Sequence, residues 1–213
     1  MKDTSTKNRV TSYLSDRSQF VSIENATSDL FRVFSGMPQG SNLGPLLFMA
    51  MIDDIQDVLK FSSYLLFADD LKIYRKILNI SDCIKLLDDI NSLVRWSLFN
   101  NLHFNIKKCA CMTYSRSKNP IIFNYRMNNE DVCRVLSFKD IGIVFDSRLT
   151  FTNHIEQLAV HCEKLLGFVI RTSKPFNSID VMKCLFNYIV RTKLEYASAV
   201  RTPYHQKYVG LIE

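Results

Sequence analysis

Two adjacent carboxylates, Asp69 and Asp70, stand between the short apolar runs Tyr64-Leu65-Leu66 and Leu71-Lys72-Ile73-Tyr74. Two such runs around a polar break form a hairpin pattern, which holds both acids at its tip. Aspartate also tolerates the tight backbone of a turn better than most residues. Carboxylates this close repel each other unless a cation lies between them. A hard divalent ion such as Mg²⁺ takes oxygen ligands and needs only one or two protein carboxylates beside substrate phosphates. Two such ions, roughly 3.5–4 Å apart, stabilise the attacking and leaving oxygens of an in-line displacement. Nucleotidyl transfer, in which a 3′-hydroxyl attacks and pyrophosphate leaves, is chemistry of that kind. The plainer reading is a solvated surface turn. Asp53-Asp54 and Asp88-Asp89 show that the dipeptide also arises within amphipathic helices. The apolar hairpin and the loop that precedes it set Asp69-Asp70 apart.

That loop is Gly36-Met37-Pro38-Gln39-Gly40-Ser41-Asn42-Leu43-Gly44-Pro45-Leu46-Leu47-Phe48. Glycine on both sides of Pro38-Gln39 lets the backbone approach a ligand closely. The helix N-terminus that follows favours negative charge. A plain Gly/Pro turn before a helix would look the same.

The elements that must position these residues can be laid out along the chain. Residues 1–10 are polar and read as a loose segment. Tyr13 to Ile23 and Phe31 to Phe34 read as two strands around the polar turn Glu24 to Asp29. A helix from about Leu43 to Leu59 is capped by Ser41 or Asn42, with Pro45 in its first turn. Its apolar face carries Leu47, Met51, Ile55 and Val58. After the hairpin, Ser81 caps a long amphipathic helix to about Phe99, with Ile84, Leu87, Ile90, Val94 and Leu98 toward the core. Strands follow near Cys111 to Tyr114, Ile121 to Met127 and Ile141 to Phe145, with Asn128-Asn129 as a turn. Asn153 and Glu156 resemble a capping box that opens a helix to about Arg171. Pro175 ends it, and Ser178 caps another running to about Ala197. The change of character near 147–152 suggests a mixed sheet-and-helix part followed by a helical part.

With 213 residues, 47% hydrophobic and 23% charged, the chain has ordinary globular composition and room for a core. Its six glycines favour regular elements over loops. A net charge of +6 suits a polyanionic partner, since Lys and Arg displace condensed counterions from phosphates. The six cysteines form no CxxC pair and no Cys/His group with zinc spacing, so reduced buried thiols are expected. No apolar run is long enough to span a bilayer, and Met1 to Arg9 lacks the apolar segment of a signal peptide. A soluble intracellular protein without membrane partners is the expectation.

The glycine loop followed by Phe67-Ala68-Asp69-Asp70 resembles the reverse transcriptases of non-LTR retrotransposons, of the jockey-like kind. The matching pattern is G-x-P-Q-G-S-x-L-G-P-x-L-F and then F-A-D-D. Further segments fall in the family's order. Tyr13-Leu14-Ser15-Asp16-Arg17-Ser18-Gln19-Phe20-Val21 resembles its Y-L-x-x-R-x-Q-x-V segment, and Asn105-Ile106-Lys107-Lys108-Cys109 its N-x-x-K-C/T segment. Lys139 to Asp146 resembles its primer-grip strand pair, and Leu194-Glu195-Tyr196-Ala197-Ser198 a thumb segment. The resemblance implies an α+β fold: a partial polymerase palm over 1–148, a small antiparallel sheet with packed helices, then a truncated helical thumb portion over 149–213. It implies that Asp69 and Asp70 are catalytic ligands of Mg²⁺ or Mn²⁺. Pro38, Gln39, Gly40 and Ser41 would wall the nucleotide and template pocket, with Phe67 beside the nucleotide sugar and Ala68 also binding nucleotide or template. Lys108 matches a position whose ammonium could protonate the leaving pyrophosphate, or it is a solvated lysine before a strand. Arg17 contacts a phosphate or only flanks a strand. The implied partners are an RNA template, a DNA primer and deoxynucleoside triphosphates.

Two departures qualify the resemblance. The family's third carboxylate, on a strand with an F-x-D-x-x-x-A-F-D pattern, has no counterpart before Tyr13. Arg201 stands where the family usually has Trp. The expectation is therefore a partial polymerase domain that is inactive as an isolated chain. The alternatives are a non-catalytic, basic nucleic-acid-binding remnant, or a basic α+β interaction protein with an incidental Asp-Asp turn. An uncovered sheet edge would also make the isolated chain prone to aggregation.

Overall fold

The computed structural model describes residues 4–202 and 206–211. They divide into two compact units, Met1–Tyr74 and Arg75–Glu213. Both mix helices with short strands, as expected of an α+β chain. The strands do not join into one small sheet, however. They pair two by two in six ladders, five antiparallel and one parallel. Most are only two or three residues long.

In the first unit, α1 (Thr4–Leu14) replaces the loose segment and the strand expected from Tyr13. Val10, Tyr13 and Leu14 recur at helical spacing and are its half-buried residues. Asp16 takes the left-handed conformation (φ 52°) and turns the chain into a strand. Strand β1 (Arg17–Gln19) then pairs with β4 (Phe31–Val33), in the register Arg17 to Val33. A smaller hairpin, β2 (Ser22–Ile23) and β3 (Ala26–Thr27), sits between them where a polar turn was expected.

The helix expected over 43–59 is two helices, α2 (Gly44–Ile52) and α3 (Ile55–Val58), separated at Asp53-Asp54. Ile52 and Ile55 are buried, while Met51, expected on the core face, is exposed. Pro45 lies in the first turn as anticipated, but no side chain caps α2, and Leu43 occupies the cap position. Strands β5 (Ser63–Phe67) and β6 (Asp70–Tyr74) complete the unit as a five-pair antiparallel hairpin.

The second unit opens with α4 (Ile80–Phe99). Its cap is Asn79 rather than Ser81. The Asn79 side chain accepts from Asp82 N–H at 3.1 Å, and the Asp82 carboxylate accepts in return from Asn79 N–H at 3.3 Å. Arg75 donates to the same carboxylate at 2.9 Å. That bond leads the causes that hold the Asp82 carboxyl below its usual range. The buried face runs through Cys83, Asp89, Leu93, Val94 and Ser97, so Ile84 and Leu98 fall at its exposed rim.

Short strands follow: β7 (Ala110–Cys111), β8 (Arg126–Met127), β9 (Glu130–Asp131) and β10 (Cys133–Arg134). Asn128 and Asn129 both have positive φ and close the β8–β9 hairpin, as their composition predicts. Strands β11 (Ser137–Asp140) and β12 (Ile143–Asp146) form a regular antiparallel pair.

Helix α5 (Thr152–Ser173) does not start on an Asn153–Glu156 capping box. Phe151 holds the cap position with φ 56°, and the Asp146 carboxylate gathers the N–H groups of Arg148, Thr150 and Phe151. Burial pushes the Asp146 carboxyl up, but these bonds outweigh it and hold it below its usual value. The chain then winds through α6 (Ile179–Leu185), capped by Ser178 as expected, a π-helical stretch (Phe186–Arg191) and α7 (Thr192–Glu195). Short helices α8 (Ser198–Arg201) and α9 (Gln206–Val209) follow. Two apolar clusters organise this region. Ile143, Phe151 and Ile155 form one; Cys162, Val169 and Val190 form the other. Of the six cysteines, only Cys83 and Cys162 are buried, and Cys133 and Cys184 are exposed. Among the described residues no helix is long and apolar enough to cross a membrane.

Candidate active site

The hairpin tip has the geometry its sequence calls for. Phe67 and Asp70 are the last cross-strand pair, leaving Ala68-Asp69 as a two-residue turn. Ala68 has φ 52° and Asp69 does not share that sign, the arrangement of a type II′ hairpin turn. Glycine is the usual occupant of that first turn position, so an alanine there carries backbone strain. Asp69 and Asp70 are both exposed. Neither carboxylate has a salt-bridge or side-chain hydrogen-bond partner among the described residues. Two adjacent negative charges therefore stand uncompensated on the turn. Phe67 and Ala68 are exposed beside them.

The glycine loop is built by short-range bonds. Gly36 (φ 82°) and Gly40 (φ 78°) supply left-handed conformations that side chains rarely adopt. Ser41 N–H donates to the Pro38 carbonyl at 3.3 Å, and Gly44 N–H donates to the Ser41 carbonyl at 3.2 Å. The Ser41 hydroxyl accepts from Leu43 N–H at 3.1 Å and from the Tyr13 hydroxyl. Gly44 is buried, Pro38 and Ser41 are half-buried, and Gln39 and Gly40 are exposed.

Arg17 sits at the mouth of this loop. Its Nη2 donates to the Gly36 carbonyl at 2.5 Å and its Nε to the Leu14 carbonyl at 2.9 Å. The guanidinium thus braces the first glycine. The Tyr13–Ser41 contact escaped sequence reasoning altogether, because nothing in the spacing of two residues so far apart marks them as neighbours. Among the described residues no hydrogen bond or ion pair joins Pro38–Ser41 to Phe67–Asp70.

Lys108 belongs to the second unit. It ends the 3₁₀ turn Ile106–Lys108, its N–H donates to the Asn105 carbonyl at 2.9 Å, and its side chain is exposed.

The donor set at the tip is hard oxygen only. Among the described residues no group of three or more His, Cys, Asp or Glu is placed to hold a metal ion. Such a site fits an ion that takes one or two protein carboxylates and completes its shell from substrate phosphates and water. It does not fit an all-protein metal cage.

An α+β chain with paired acids on a hairpin turn after a glycine loop defines a class, and comparison with known families specifies it. The model of the family "Reverse transcriptase (RNA-dependent DNA polymerase)" matches residues 2–174, and the chain belongs to that family. Its curated relatives come from non-LTR retrotransposons of Drosophila. The RNA-directed DNA polymerase from mobile element jockey of Drosophila melanogaster is 27% identical over 161 residues, covering 70% of this chain. The probable RNA-directed DNA polymerase from transposon X-element of the same species is 30% identical over 154 residues, covering 69%. The jockey polymerase of Drosophila funebris is 25% identical over 157 residues. The matched segment spans 17% of the length of each relative. No solved structure matches the chain.

Proposed function

We propose that this chain forms part of the palm (1–148) and the start of the thumb (149–213) of an RNA-directed DNA polymerase. In this reading Asp69 and Asp70 hold divalent cations, Mg²⁺ or Mn²⁺, against the phosphates of an incoming deoxynucleoside triphosphate. The observation that carries it is the pair of uncompensated, exposed carboxylates on a strained hairpin turn, in a chain of the reverse transcriptase family. Bound divalent ions would supply charge stabilisation to the attacking 3′-oxygen and the departing pyrophosphate. The chain's own residues do the positioning. Pro38, Gln39, Gly40 and Ser41 present backbone to the nucleotide and template, and Phe67 and Ala68 lie beside the sugar. Arg17 acts through the Gly36 carbonyl, fixing the loop's entry. Lys108, exposed, is the candidate donor of a proton to pyrophosphate. RNA template and DNA primer would follow the basic surface that a net charge of +6 provides.

Among the described residues no third acid joins the two at the tip, so an ion held there would complete its shell from nucleotide and water. The isolated chain is therefore expected to bind Mn²⁺ with nucleotide but not to extend oligo(dT) on poly(rA). Manganese electron paramagnetic resonance in the presence of dTTP reads the first expectation. Asp69→Asn with Asp70→Asn should weaken binding about tenfold or more. Equal Mn²⁺ binding by the wild type and the double variant would refute the metal assignment. Primer extension by the isolated chain, abolished by Asp69→Asn, would show that the two acids suffice.

A further inference from the structure

A small cleft in the second unit carries chemistry that the reading above does not use. Tyr114, Ser115 and Arg116 line one side; Ser147, Arg148 and Leu149 line the other, enclosing about 180 Å³. The two segments are clamped by a backbone bond from Ser115 N–H to the Ser147 carbonyl at 2.9 Å. Arg116 and Arg148 each follow a clamped residue directly, so both guanidiniums emerge beside the same opening. Each is exposed, and neither side chain has a hydrogen-bond or ion-pair partner among the described residues.

The acids that act on the Tyr114 hydroxyl are Asp140 and Asp146. The Asp146 carboxylate is already engaged by the N–H groups of Arg148, Thr150 and Phe151 and by the Thr150 hydroxyl. Burial, with those acids adding, pushes the Tyr114 hydroxyl above its usual value, so it remains a neutral donor. Leu149, at φ 55°, holds the second segment in a conformation that β-carbon-bearing residues rarely adopt.

We propose that this cleft binds the sugar–phosphate backbone of a nucleic-acid strand, with Arg116 and Arg148 pairing with phosphate oxygens and Tyr114 contacting the adjoining sugar or base. The choice of nucleic acid as partner rests on the polymerase reading; the cleft is built by the second unit and shares no residue with the carboxylate turn. Size supports a polymer over a free small molecule, since 180 Å³ lies below the roughly 300 Å³ at which small-molecule pockets begin. Forked guanidiniums match phosphate oxygens in pairs, and an aromatic face accepts any base. Contacts of this kind position a strand without reading its sequence.

Fluorescence anisotropy of a labelled RNA–DNA hybrid against the full 213-residue chain, over a series of salt concentrations, tests the assignment. Arg116→Ala with Arg148→Ala should weaken binding about tenfold or more at low salt. It should also flatten the log–log salt slope by about 1.5 to 1.8, the equivalent of two phosphate contacts. Arg116→Lys with Arg148→Lys keeps both charges and should retain most of that slope, which separates lost contacts from lost folding. Tyr114→Leu should weaken binding without changing the slope.

Wild-type binding with an unchanged slope in the double alanine variant would overturn the cleft assignment while leaving the metal site intact. Displacement of the hybrid by polyglutamate at equal charge concentration would overturn it in favour of an acidic protein partner. Asp69→Asn with Asp70→Asn, measured in parallel by Mn²⁺ binding, should leave the salt slope untouched. Failure at the carboxylates and failure at the cleft therefore appear in different readouts.

Discussion

His154 shows how a single buried side chain makes stability depend on pH. Its ring is buried at the start of α5, and Val144 N–H donates to Nδ1 at 3.3 Å, a bond available only while that nitrogen is unprotonated. Burial, with Arg201 and Lys139 adding repulsion, depresses its pKa below the usual 6.5. The unfolded chain therefore takes up a proton that the folded chain resists. Stability from this group is present above about pH 6.5 and is lost as pH falls through the depressed folded value. Asp146 also titrates below its usual value, but that lies under 3.8 and outside this window. The urea midpoint of the second unit should thus fall between about pH 7.5 and 5, and His154→Gln should flatten that fall. Parallel pH profiles for the two proteins would contradict the assignment. At the carboxylate turn, residue type and flanking pattern were enough to place Asp69 and Asp70 at a hairpin tip from sequence. His154 gave no such signal, because its role depends on a backbone N–H in another element.

Helices and strands were legible where one local pattern decided them. The hairpin of β5 and β6, the Asn128-Asn129 turn and the Ser178 cap all form as their residues indicate. Errors cluster at helix starts and phases, where several nearby polar residues compete. For α4, Ser81 and Asn79 are both capping types, and the choice went to Asn79 because Asp82 stands three residues later and completes the reciprocal pair. Arg75 and Leu78 N–H add to the same carboxylate at 2.9 and 3.0 Å. Asn79→Ala should therefore cost about 1 kcal/mol of stability, whereas Ser81→Ala should cost close to nothing. Chemical denaturation of both variants decides it, and equal losses would place the cap wrongly. For α5 the apparent Asn153–Glu156 box failed because Phe151 is drawn into the apolar cluster with Ile143 and Ile155. Its ring meets Phe145 at 5.5 Å. That burial leaves Asp146, upstream of the helix, to gather the loop's N–H groups.

Buried apolar residues are unequally shared between the two units. Among the described residues the first unit buries only Ile52 and Ile55, whereas the second buries Leu93, Val94, Tyr125, Ile143, Phe151, Ile155, Val169 and Val190 among others. The first unit also leaves large apolar side chains uncovered, such as Phe34 (87%) and Phe67 (62%). Such a body gains little from the hydrophobic effect against its chain entropy. The proposed metal site thus stands on the less stable unit, held mainly by local hydrogen bonds. Hydrogen exchange of the isolated chain should show β5, β6 and the glycine loop exchanging within seconds, while the buried faces of α4 and α5 are protected far longer. If the carboxylates are the metal ligands, Mn²⁺ with dTTP should slow exchange at 63–74 and leave α5 unchanged, because ligand binding stabilises the unit that binds. Protection that is uniform across both units before any ligand is added would show that the first unit has cohesion its two buried isoleucines do not explain.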